Sequence, residues 1–236
     1  MSTYRREHYL AKLRPFYNDS GLIKVITGIR RCGKSSLLIT VLNELFEQGI
    51  PETNLIYLNL DRREYRNVTT PDQLDQLIEQ AMSNAYGAGL RYLFIDEVQN
   101  VKGFETVING WREEGNCSIF ITGSNSYLLS GELATKLTGR YIKLEMFTLS
   151  FQEYLGMRNF LNKPEIPVSQ AFRDYLTYGG FPTQKPHIFK TSSGRSSTRT
   201  SPPTKKYAIA ILSPVCRTIS SIISQRPRIF PALSRI

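Results

Sequence analysis

"GIRRCGKSSLL", Gly28 to Leu38, is the stretch that decides the fold. Its opening residues, Gly28 to Ser35, fit G-x-x-x-x-G-K-[ST], the spacing of a loop that wraps phosphate. Gly28 and Gly33 permit backbone conformations that aim successive N–H groups at phosphate oxygens, and the helix that follows adds the positive end of its dipole. Ile29, Arg30, Arg31 and Cys32 complete the loop. Arg30 and Arg31 read as solvated or ion-paired, and Cys32 as a passive loop residue. Lys34 is expected to reach the β- and γ-phosphates, Ser35 to ligate Mg²⁺, and Ser36 to close the binding segment. The loop alone does not say whether the phosphate is hydrolysed, transferred or only held.

Working outward, "LIKVIT" (22–27) is a short β-rich run directly before the loop, and "KSSLLITVLNELFEQG" (34–49) has helical periodicity with Gly49 at its C-terminal cap. Further strands are expected at 54–60, 91–96, 117–124 and 141–147. Helices are expected at 6–17, 70–85, 105–115 and 126–137, the second opened by Thr70, Pro71 and Gln73 as cap, first turn and capping-box partner. Short apolar strands alternating with helices imply a parallel α/β sheet with right-handed crossovers. Residues 150–182 read as helical. The chain thus divides into an N-terminal helix (1–20), an α/β core (21–148), a partial helical lobe (149–184) and a tail (185–236).

Chemistry beyond the loop rests on three places. "YLFIDE" ends a buried strand with Asp96 and Glu97. A strand-end Asp holds Mg²⁺ through its water shell, and an adjacent Glu takes the proton of an attacking water, which hydrolysis needs and a binding switch does not. "FITGSNS" places Ser124 and Asn125 at another strand end. Asn125 either positions water and γ-phosphate or, with Ser124 and Ser126, caps the next helix. "LTGRY" puts Arg140 before the last strand, where it is either an arginine finger for a neighbour's ATP or a salt-bridged surface residue.

The order "ITGIRRCGKSSLL", "YLFIDEVQ", "IFITGSNSYLLS", "LTGRY", "FTLSFQEYL" and "YLTYGGFP" resembles AAA-type P-loop ATPases of prokaryotes, in which an AAA core is followed by a helical lobe and a C-terminal domain of unknown function. The resemblance covers about residues 5–183. It implies a three-layer fold with sheet order 5-1-4-3-2. It also implies Lys34, Ser35, Asp96, Glu97 and Asn125 in the Walker A, Walker B and sensor roles, with Arg140 as the finger. ATP and Mg²⁺ are the implied ligands, a homo-oligomer is a possible assembly, and the family's C-terminal domain is expected to be missing. Mg²⁺-dependent ATP hydrolysis coupled to a conformational change is the leading reading; a nucleotide switch or remnant without turnover is the alternative. A small-molecule kinase fits less well, because the Asp96–Glu97 pair favours water as acceptor.

Bulk properties narrow the partners. Of 30 Lys and Arg residues, ten follow Asp174, the last acidic residue, so the +10 net charge lies wholly in the tail. The main body is balanced and gives no support to nucleic-acid binding, which the basic tail alone leaves open; the macromolecular partner is not readable, and no membrane partner is expected. Cys32, Cys117 and Cys216 form no C-x-x-C pair, the two histidines stand apart, and no apolar run reaches membrane-spanning length, so a cytoplasmic location is expected. The tail, rich in Ser, Thr, Pro, Lys and Arg, reads as an irregular, poorly ordered, out-of-frame translation. With permitted codons, 187–207 shifted back by one nucleotide reads HLQDILRTIFYKDIAANKKI, an amphipathic helical string.

Overall fold

The computed structural model describes residues 3–83, 89–124, 136–137 and 139–182. The tail, Asn125 and all but the last two residues of the helix expected over 126–137 lie outside the described residues. The described strands are β1 (Ile23–Gly28), β2 (Leu55–Asn59), β3 (Arg91–Asp96), β4 (Cys117–Ser124) and β5 (Tyr141–Met146). All pair in parallel, in the order β2-β3-β4-β1-β5. This is the expected order, 5-1-4-3-2, read from the other edge.

β1, β3 and β4 are buried along nearly their whole length because helices cover both faces, whereas β5, at the sheet edge, exposes Lys143 and Glu145. The described α-helices are α1 (Glu7–Leu13), α2 (Lys34–Glu47), α3 (Pro71–Ser83), α4 (Phe104–Glu113), α5 (Phe151–Phe160) and α6 (Val168–Tyr178). On one face Ile23, Val25, Leu93, Ile95, Ile119 and Ile121 pack with Leu74 and Ile78 of α3 and Phe104 and Ile108 of α4. Residues of the opposite parity face the other way. There Phe94 stacks on Phe120 at 4.8 Å, and Tyr17 meets Phe120 edge-on. Lys24 is fully buried on this side; its ammonium donates to the carbonyls of Asp19 and Leu22 and to Ser118 Oγ, and so sews the 17–22 turn to the sheet.

The expected helix over 6–17 divides into α1 and a 3₁₀ turn at Arg14–Phe16. Pro15 has no N–H to continue the α-helical ladder, so the helix tightens and stops there. Arg14 and Tyr17 both bond the carboxylate of Glu44 on α2, which fastens this segment to the core. Helix α3 opens as expected: Gln73 accepts from the N–H of Thr70, and Thr70 Oγ accepts in return. Gly49, at φ 88°, turns the chain after α2.

Helices α5 and α6 form the lobe. A capping box starts α5, with Ser150 and Glu153 each accepting the other's backbone N–H. Phe151 packs edge-on to Phe172, and Tyr154 lies against Tyr175. The Tyr175 hydroxyl donates to Leu149 O, and Leu149 N–H donates to Gly180 O at 2.7 Å. A side chain at position 180 has no room, since its Cβ would lie 2.2 Å from Leu149 O. Phe160, Leu161, Val168, Phe172 and Leu176 remain exposed. Among the described residues, no helix is long and apolar enough to cross a membrane.

Candidate active site

The loop Gly28–Ser35 leaves the carboxyl end of β1 and enters α2. Two backbone features shape it. Gly28 has φ 155°, and a Cβ there would meet Met146 O at 2.4 Å and Cys32 Sγ at 2.7 Å, so only glycine lets the loop lie against the end of β5. Gly33 has φ 107°, which turns the chain into the first turn of α2, where N–H groups have no partner four residues back. Ile29, Arg30, Arg31 and Ser36 are exposed, Gly33 and Ser35 half-buried, and Cys32 and Lys34 buried. Burial pushes the Cys32 thiol up, against the opposing pull of Lys34, so the thiol is a packing group.

Lys34 Nζ donates to Gly28 O at 3.1 Å and Ile29 O at 3.4 Å, which holds the ammonium inside the curve of the loop. It also lies 3.9 Å from Glu97 Oε1. The strand order creates this meeting. β4 lies between β1 and β3, with Gly28 in register with Ser124, so the loop and the acids at the end of β3 share one edge.

Asp96 is fully buried. Its Oδ1 accepts from Thr122 Oγ, and its Oδ2 accepts from the Tyr57 hydroxyl at 3.0 Å and Asn59 Nδ2 at 3.3 Å. Burial, and then the nearby Asp96 charge, push the Tyr57 phenol well above its ordinary range, so Tyr57 stays a donor. Glu97 follows in the left-handed region, at φ 57°. That conformation is strained for a non-glycine residue, and here its backbone N–H is fixed by Thr122 Oγ at 3.0 Å. The bend turns the Glu97 side chain out of the strand, partly exposed and toward Lys34, where Gln99 Nε2 donates to its second oxygen.

The residues 20–155 match the AAA domain, which is more than half of the chain. The chain belongs to this family of AAA-type P-loop ATPases. An uncharacterised protein of Haemophilus influenzae is 42% identical over 178 residues, covering 75% of this chain and 44% of that relative. The chain thus spans less than half the length of that relative. Among solved structures, Orc1 of Aeropyrum pernix in complex with DNA aligns at TM-score 0.52 and 15% identity, over 73% of this chain and 56% of that one. AMPPCP-bound DnaA of Aquifex aeolicus aligns at TM-score 0.50 and 16% identity, over 75% and 57%. At these identities the likeness is one of fold.

Not every expected residue joins the AAA domain's loop edge. Arg140 is exposed and precedes β5; its carbonyl accepts from Ile23 N–H at the amino end of β1. It therefore lies at the sheet edge opposite the loop of its own chain, and it makes no ion pair with another described residue. Thr122, Tyr57, Asn59 and Gln99 orient the two acids and belong to no recognisable sequence motif. The available signal was polar residues interrupting or ending apolar strands.

The oxygen donors suit a hard cation. Among the described residues no three His, Cys, Asp or Glu side chains gather into a metal cage. A hydroxyl at the start of α2 and a single buried carboxylate instead suit Mg²⁺, which keeps waters and takes further ligands from substrate phosphates.

Proposed function

We propose that this protein binds ATP with Mg²⁺ and hydrolyses it. The observation that carries the reading is the 3.9 Å approach of Lys34 and Glu97 at the edge where β1 and β3 end. In phosphoryl transfer to water, a cation on the phosphate and a carboxylate for the water are needed side by side, and this approach supplies both. In this reading residues 28–36 hold the triphosphate, with backbone N–H groups from the loop and Lys34 on the β- and γ-oxygens. Ser35 and Asp96 would hold Mg²⁺, which when bound neutralises charge on those oxygens. Thr122, Tyr57 and Asn59 keep Asp96 oriented for that task. Glu97 accepts the proton of the attacking water, Asn125 orients that water, and Arg140 acts on the ATP of an adjacent copy. Hydrolysis then drives a conformational change.

Phosphate release from ATP, with GTP and AMP-PNP as controls, is the test. ATP-specific release by wild type that is lost in Glu97→Gln supports the proposal. Binding without release sinks hydrolysis and leaves the nucleotide switch, a reading favoured by one contact, the Gln99 bond that already occupies a Glu97 oxygen.

A further inference from the structure

The family match begins at residue 20, yet a residue before it reaches the phosphate loop. Arg6 is only 7% exposed. A guanidinium carries five N–H donors, and all five of Arg6 are used. Nε and Nη2 grip the two oxygens of Glu153, each at 2.8 Å. Nη1 donates to Phe147 O at 2.9 Å and Cys32 O at 3.2 Å, and Nη2 also donates to Thr148 O at 3.2 Å. The plane rests on Tyr9, 4.5 Å from the ring centroid. One side chain thus ties together the phosphate loop, the exit of β5 and the first turn of α5.

We infer that Arg6 is a positioning residue for the phosphate loop, acting by fixing the Cys32–Gly33 peptide; this rests on the ATP reading given above. In a trans peptide the C=O and the following N–H point in opposite directions. Holding Cys32 O toward Arg6 therefore turns the Gly33 N–H the other way, into the curve of the loop. Gly33, at φ 107°, has no Cβ to resist a flip of that peptide, so an external pin is needed. The pin is itself held. Burial alone would raise the Glu153 carboxyl, but the Arg6 hydrogen bonds, the Ser150 N–H and the guanidinium charge outweigh it and hold it below the usual range. Glu153 stays ionised and bidentate, a geometry lysine cannot copy.

The test compares ATP affinity, by titration with a fluorescent ATP analogue, with thermal stability in the full chain. Arg6→Lys is expected to weaken ATP binding about tenfold, equivalent to about 1.4 kcal/mol. Glu153→Gln, which loosens the pin while sparing the carbonyl contacts, is expected to weaken it about threefold and serves if Arg6→Lys does not fold. Tyr9→Phe is the structural control. It deletes the hydroxyl that accepts Phe147 N–H and lowers stability, but it should leave ATP affinity within twofold. The proposal is overturned if Arg6→Lys or Glu153→Gln melts earlier with unchanged affinity. It is equally overturned if affinity falls in step with stability in all three variants. Absence of ATP binding in wild type defeats the ATP reading first, and this inference with it.

Discussion

Glu97 Oε1 lies 3.9 Å from Lys34 Nζ, and neither residue's own strand or helix would bring them together. The crossover that seats β4 between β1 and β3 does so, and the left-handed bend at Glu97 completes the approach. Two side chains from distant parts of the chain therefore share one small volume with separable tasks.

Lys34→Ala removes the cation and should abolish ATP binding. Titration with the fluorescent analogue should show no saturation at concentrations that saturate wild type. Retained affinity would mean that the loop's backbone suffices.

Glu97→Gln keeps the size and the contact to Gln99 but cannot take a proton. Binding should persist while phosphate release slows by roughly 10²- to 10⁴-fold, the usual share of a general base. Turnover at the wild-type rate would remove Glu97 from that role.

Arg140 lies at the edge away from its own loop, so any action on ATP is on a neighbour's. Arg140→Ala should lower turnover without weakening nucleotide affinity. Mixing it with Lys34→Ala protein should restore some activity, because one interface then holds an intact loop and an intact arginine. Turnover per protein that does not vary with concentration, and no rescue on mixing, would exclude this arrangement.

Lys24 gives a pH signature. Burial, only partly offset by Asp19, lowers its pKa from 10.5 to about 8 in the folded protein. Between those values the unfolded chain binds more protons, so this lysine's contribution to stability rises with pH. It is fully present above 10.5 and lost as pH falls through 8. The stability of wild type relative to Lys24→Met, measured by denaturant titration, should therefore grow across that window by up to roughly 3 kcal/mol. A flat or shrinking difference would contradict the burial of its charge.

Gly180→Ala should loosen the lobe. Its Cβ would lie 2.2 Å from Leu149 O, a backbone atom that cannot rotate away. Limited proteolysis should cut within 149–182 sooner than in wild type, at a cost of about 1–3 kcal/mol in stability, the range of overpacking. Unchanged protease resistance would show that the turn can shift.

Much of this was legible because strands buried on both faces are written as apolar runs. β3 and β4 have the bounds read from "RYLFID" and "CSIFITGS", and the glycine–lysine spacing placed the loop. Capping chemistry made the start of α3 readable in the same way. Thr122 and Arg6 were not legible, for a common reason. Each acts on a partner set by tertiary assembly, Asp96 for one and Cys32 O with Glu153 for the other, and no local spacing encodes such a meeting. Arg6 was further concealed by its composition, since an arginine in an N-terminal helix reads as a solvated charge.

The strand that carries the loop is the first made and sits between two late ones. Lys24 finds its neighbours at Phe120 and Ile142, so β1 leaves the ribosome with neither edge paired. Such long-range parallel pairing is slow and leaves hydrophobic edges open while synthesis proceeds. The cradle against Met146 closes only after β5 has been made. The proposed nucleotide would therefore meet no finished seat on the nascent chain, and its binding would stabilise the completed sheet rather than template it.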